Sequence, residues 1–144
     1  MNTLTLETFP ERKRICLVAD FFILHEPRKT ILNIGGKPAF NQTTFMSVLN
    51  PTIMHKVVED YQEVASAIVK KDNDFAEFRH LHTGTMFLLN PRFFELIEKG
   101  TLWPDGNGIA EKLSLVSLWN PGLWVEIDEP SFEDACAKMG HELD

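Results

Sequence analysis

Few residues in this chain have the type and spacing to do chemistry, and they fall at three places. The first is Trp103-Pro-Asp-Gly-Asn-Gly-Ile-Ala-Glu-Lys-Leu113. Gly106, Asn107 and Gly108 all tolerate positive φ, so their backbone N–H groups can line one side of a concave turn and face an anion. A helix starting at Ile109 would add its unpaired N–H groups and the positive end of its dipole. A surface loop that needs two glycines accounts for the same run, and one G-x-G carries little information by itself. The second place is His80-Leu-His82, close to Asp74 and Glu77. Two imidazoles at i and i+2 share a face on a strand but point to nearly opposite sides of a helix. Because Asp72 to Arg79 reads as helical and the sequence positions no third ligand, no metal site is assigned. The third is Asp20, a carboxylate inside the apolar run Ile15 to Leu24. Burial there costs on the order of several kcal/mol unless the group is paired. An exposed helix edge is therefore favoured for it over a cleft shared with Arg12 or Arg28.

These residues need elements to position them, and helical periodicity is clearest from Pro51 to about Lys71. Ile53, Met54, Val57, Val58, Tyr61, Val64, Ala65, Ile68 and Val69 recur at helical spacing, with Asn50 as N-cap and Pro51 as first residue. Asn90-Pro91 predicts a second, shorter helix through Phe93, Phe94 and Ile97 to Gly100. Ser131 opens a third, with Phe132, Ala135, Cys136 and Met139 on one face and Gly140 beyond its end. Ile15 to Leu24 is read as helix because Thr8 and Pro10 resemble a start. Strand-like runs are Thr3 to Thr8, Thr30 to Ile34, Thr85 to Leu89 and Leu123 to Ile127. Asn120-Pro121-Gly122 suits a type II turn, making Leu113 to Trp119 and Leu123 to Ile127 a hairpin, although Ile109, Leu113 and Val116 also keep a helical interval. No internal repeat or linker is evident. The expected fold is α+β: a single domain over residues 1–144, with one small, mostly antiparallel sheet packed by the long helix (about 51–71) and shorter helices.

Composition narrows the class of protein more than its function. With 44% hydrophobic residues, eleven Phe and three Trp in 144 residues, the chain has a globular profile and can bury a core without metal or disulfides. Cys16 and Cys136 both lie in apolar patterns; buried free thiols in a reducing compartment are the simpler expectation, with a bridge between the two distant segments as the alternative. Arg12-Lys13-Arg14 before an apolar run resembles the start of a secretory signal, but Glu11 and Asp20 interrupt it and no small-residue cleavage pattern follows. No run is long enough to cross a bilayer as a helix, so a cytoplasmic protein without membrane contact is expected. Net charge is −7, and from Glu126 to Asp144 seven acids face Lys138 alone. An acidic tail repels phosphate backbones, disfavours direct nucleic-acid binding and can steer a basic partner. An aromatic-rich domain of this size is also compatible with a homodimer.

Gly106-Asn-Gly-Ile-Ala-Glu-Lys-Leu113, followed by Val125-Glu-Ile and Ala137-Lys-Met-Gly-His141, resembles the second half of a GNAT-type acetyltransferase. The resemblance covers about the last 40 residues. It implies acetyl-CoA as cofactor, with pyrophosphate contacts from Gly106, Gly108 and Ile109. Trp103 stands where that family usually carries Gln or Arg, and Cys136 where many members carry a Tyr. No Ser-His-Asp grouping, phosphate-binding lysine loop or C-x-x-C pair supports another catalysis. The favoured expectation is thus non-covalent binding of a protein with a basic surface, as an inhibitor, immunity-like or regulatory module. Trp103, Trp119 and Trp124 would anchor that contact, and Glu133 and Asp134 would supply its charge. An acyl-CoA-dependent N-acyltransferase is the second expectation.

Overall fold

Burial alternates along the outer strands, whereas the strands at Phe22–His25, Thr43–Ser47 and Met86–Leu89 are buried on both faces. The computed structural model describes residues 3–27, 42–102 and 109–140. Leu4 and Leu6 point inward from β1 (Thr3–Glu7) while Thr3 and Thr5 face out, and β1 pairs antiparallel with β2 (Arg14–Val18). A 3-10 turn at Ala19–Phe21 leads into β3 (Phe22–His25). Next come β4 (Thr43–Ser47), β5 (Met54–Val57) and helix α1 (Tyr61–Lys71). The second half runs β6 (Ala76–Arg79), β7 (Met86–Leu89), a 3-10 turn at Pro91–Phe93, β8 (Phe94–Leu102), β9 (Ile109–Ser117), β10 (Trp124–Ile127) and α2 (Phe132–Lys138). The sheets are β1-β2, β5-β4-β3-β7-β6 and β10-β9-β8, with every pairing antiparallel. Single bridges at Thr8–Val57 and His80–Ile127 link one sheet to the next. Among the described residues the ten strands therefore follow in one order, β2-β1-β5-β4-β3-β7-β6-β10-β9-β8, with β2 and β8 at the ends.

Two cores lie on opposite faces of the five-stranded sheet. On one face Leu24, Phe45 and Leu88 pack under Tyr61, Val64, Ala65 and Ile68 of α1 and beside Leu4, Leu6 and Leu17 of the first hairpin. On the other, Ile23, Met46, Phe78 and Phe87 meet Leu113, Leu115, Val125 and Ile127 of the three-stranded sheet, with Ala135 and Met139 of α2. Burying a Val64 or Ile68 side chain stabilises by roughly 1.5–3 kcal/mol.

The same unit of structure occurs twice. Strand, strand, 3-10 turn, three strands and a helix are repeated in order, and the hydrogen bonds repeat with them. Val58 N–H donates to Glu7 C=O as Asp128 N–H does to Arg79 C=O, and Val48 N–H to Phe21 C=O as Leu118 N–H does to Phe93 C=O. Arg12 (φ 59°) and Gly84 (φ 70°) occupy the same left-handed position in the two hairpin loops. Ser47-Val-Leu-Asn-Pro-Thr-Ile53 and Ser117-Leu-Trp-Asn-Pro-Gly-Leu123, about 70 residues apart, carry the repeat in the sequence. This overturns the expectation of no internal repeat.

The expected fold class is also corrected. The described residues are mostly strand, in three antiparallel sheets, with two short helices and no long amphipathic helix over 51–71. Residues 54–57 pair with β4 instead, since Val57 and its β-branched neighbour Val58 suit a strand. The helix begins only after its N-cap Asp60. Asn50-Pro51 forms a turn in which Asn50 Oδ1 accepts the Thr52 N–H at 3.1 Å. Asn90 Oδ1 accepts the Arg92 N–H in the same way, and that helix stops after one 3-10 turn before Phe94 enters β8. The run from Ile15 to Leu24 is two strands broken at Ala19–Phe21, and residues 76–79 are β6. The hairpin across Asn120-Pro121-Gly122, the strands from Thr3, Thr85 and Leu123, and the Ser131-capped helix form where the sequence places them. Thr30 to Ile34 lies outside the described residues.

Candidate functional site

The two Ser-x-x-Asn-Pro turns are built alike and lie side by side. In each, the serine hydroxyl oxygen accepts two backbone N–H groups: Leu49 and Asn50 at Ser47, Trp119 and Asn120 at Ser117. The asparagine Oδ1 then accepts the N–H two residues on, at 3.1 Å in both. These side chains replace the ladder bonds lost at the turn, which fixes a loop that would otherwise stay plastic. Ser117 Oγ also donates to the Val48 carbonyl at 2.9 Å in a buried position, and Asn120 Nδ2 reaches the Leu49 carbonyl at 3.4 Å. The second turn is thereby clamped onto the first.

On this base the turns present large apolar side chains to solvent. Leu49 is 51% exposed, Leu118 57% and Trp119 56%. Trp119 leans on Phe93 with ring centroids 6.2 Å apart, and Phe93 stacks on its counterpart Phe21 at 5.3 Å. Trp124, also 56% exposed, stands opposite Val116 on the outer face of the three-stranded sheet. Val48, which matches Leu118 in the first half, is fully buried. A grouped set of exposed aromatic and aliphatic side chains on a hydrogen-bonded frame is suited to contact with another macromolecule.

Of the residues singled out from the sequence, the structure brings Trp119 and Trp124 to one end of the β9–β10 hairpin. Glu133 and Asp134 are exposed in the first turn of α2, and the Asp134 N–H is capped by Ser131 Oγ at 3.1 Å. Among the described residues no hydrogen bond joins their carboxylates to either tryptophan. Trp103, Gly106 and Gly108 lie outside the described residues. Ile109 is the first residue of β9, paired opposite Leu102, so the helix start that would have strengthened an anion site there is a strand. Leu49 and Leu118 were missed, although the duplicated Ser-x-x-Asn-Pro signal marks both.

The remaining chemical candidates have structural roles. Asp20 is buried and accepts a hydrogen bond from Asn90 Nδ2 at 3.0 Å, tying the two halves together, which corrects its expected exposure. His80 and His82 sit in the β6–β7 loop, not at the end of a helix. His80 Nδ1 accepts the His82 and Thr83 N–H groups, and His82 Nε2 lies 2.6 Å from Glu126 Oε2. Among the described residues no group of three His, Cys, Asp or Glu is placed to hold a metal. Cys16 is exposed, contrary to expectation, and Cys136 is buried; both are free, and burial, followed by the Glu133 charge, pushes the Cys136 thiol pKa up. Burial, then a hydrogen bond to Glu77 at 2.6 Å, holds the Tyr61 phenol well above its ordinary range. A cleft of about 440 Å³ between Asn73, Arg92 and the end of α2 contains the Arg92–Asp74 ion pair at 3.0 Å. Its charged lining residues are held in ion pairs, Lys138 with Glu129 at 2.8 Å as well as Arg92 with Asp74.

The chain matches no family model, no curated protein and no solved structure. No helix among the described residues is long and apolar enough to cross a membrane.

Proposed function

We propose that this protein acts by non-covalent binding of a protein partner, as an inhibitor, immunity-like or regulatory module in the cytoplasm. The observation that carries the proposal is the clamped pair of turns, which presents Leu49, Leu118 and Trp119, with Trp124 nearby, on a frame fixed by serine and asparagine hydrogen bonds. Such a surface is preorganised, so little entropy is lost when its indoles are covered. The local charge of the tail supports a basic partner: Glu133 and Asp134 stand exposed on α2, and Lys138, the single base there, is held by Glu129 at 2.8 Å. Charge of this kind steers encounter, and the indoles supply the lasting contact.

Affinity capture with the wild-type chain, Trp119→Ser, Trp124→Ser and the Glu133→Lys/Asp134→Lys pair tests this. A bound protein should be lost with either tryptophan, each worth at least about 2 kcal/mol or roughly 30-fold in Kd. It should be weakened by salt and by the charge pair. Capture indifferent to all four changes refutes the proposal.

A further inference from the structure

The internal repeat leaves two unlike strand edges at the ends of the strand order. β3 of the first half pairs antiparallel with β7 of the second, Leu24 opposite Leu88 and His25 opposite Phe87. Beyond them Glu26 N–H donates to the Met86 carbonyl at 3.0 Å, and Glu26 Oε1 accepts the Met86 N–H at 3.1 Å. By the repeat, β8 is the counterpart of β3, and β2 is the counterpart of β7. Yet among the described residues β8 pairs only with β9, and β2 only with β1. Each presents an edge of the kind that the internal junction joins.

We propose that a second copy of this chain docks head to tail, the outer edge of β8 in one copy pairing antiparallel with the outer edge of β2 in the next, in the register of the β3–β7 junction. That register sets Leu96 opposite Cys16 of the second copy, Ile97 opposite Ile15 and Glu98 opposite Arg14. The charges complement one another. Glu95 and Glu98 are exposed on β8, whereas Lys13 and Arg14 are exposed at the start of β2. Glu98 occupies the place of Glu26, whose carboxylate already reaches across the internal junction, and would meet a guanidinium instead of a backbone N–H. Cys16 is exposed where its counterpart Leu88 is buried under α1. Unpaired edges of this length ordinarily need a cover, and pairing supplies it while satisfying backbone groups on both sides. Because the two surfaces differ, the contact is heterologous and gives short rows or a ring, unlike a symmetric dimer. The tryptophan surface plays no part in the edge pairing.

Two experiments test this on the full chain. Sedimentation velocity across a concentration series should show mass rising above the monomer. Glu98→Arg or Arg14→Glu alone should return it to monomer, and the two changes together should restore association. Leu96→Cys, oxidised mildly, should give a disulfide to Cys16 of another copy, visible as a ladder that a reductant collapses and that is absent in Leu96→Cys/Cys16→Ser. A monomer at every concentration, a charge swap that fails to restore association, or a cross-link within one chain overturns the proposal. The charge variants change only exposed side chains, so a folding defect in Leu96→Cys leaves the first experiment decisive.

Discussion

Lowering the pH should destabilise this protein through His25. The ring is buried beside Phe87, with centroids 5.9 Å apart, and its pKa is lowered from 6.5 to about 4, first by burial and then by the charge of His80. Between those values the unfolded chain binds a proton that the folded chain refuses. The stabilisation is therefore fully present above pH 6.5 and is lost progressively as the pH falls toward 4. At about 1.4 kcal/mol per pKa unit, the shift from 6.5 to about 4 makes the contribution about 3 kcal/mol. That is a large share of the 5–15 kcal/mol typical of a domain. Urea unfolding of the wild-type chain and His25→Phe at half-unit steps across this range gives the difference directly. The wild-type stability should fall more steeply by about 3 kcal/mol in total, whatever offset the substitution introduces at neutral pH. Parallel curves would refute the assignment, as would an imidazole NMR titration placing His25 near 6.5.

Other consequences follow from the paired loops and turns. Arg12 holds φ 59° without being glycine, and its counterpart Gly84 holds φ 70° with open space around it. Arg12→Gly should raise stability by roughly 0.5 kcal/mol, because relief of the left-handed backbone outweighs loss of the exposed Arg12–Glu7 ion pair at 2.9 Å, and Gly84→Ala should lower it by about 1 kcal/mol. Thermal midpoints moving the other way would contradict this. Ser117→Ala removes the donor to the Val48 carbonyl and the acceptor for two N–H groups, so it should cost about 1–3 kcal/mol by chemical denaturation. Ser47→Ala loses only the two acceptances and should cost less.

What the sequence made legible was local. Alternation in Thr3 to Glu7 and the proline-glycine turn at 121–122 declare themselves within a few residues, as does the Ser131 cap with Gly140 beyond. The main misreading came from Asn-Pro. At 50–51 and 90–91 the pair reads as a helix start, yet at both, as at 120–121, the asparagine side-chain Oδ1 accepts the N–H two residues on and closes a turn. The helical spacing from Ile53 to Val58 was coincidental, because four residues of β5 separate that turn from the true start at Asp60. Ile15 to Leu24 misled differently, since a 3-10 break hides two in-line strands from any single period. The repeat itself was readable, as Ser-x-x-Asn-Pro and Phe-Phe recur at matching intervals. Of the candidate surface, the tryptophans could be named from sequence, but their association with Leu49 needed the contact between turns.

The clamped turns also give the molecule an internal control. One scaffold position carries Leu49 in the first copy and Trp119 in the second, and another carries Met54 and Trp124. The backbone bonding is the same in both, so one frame carries a leucine and a methionine in the first half and two indoles in the second. Exchanging residues 47–53 with 117–123 would move one wardrobe of side chains onto the other frame. What each turn is for would then be told by which activity travels with it.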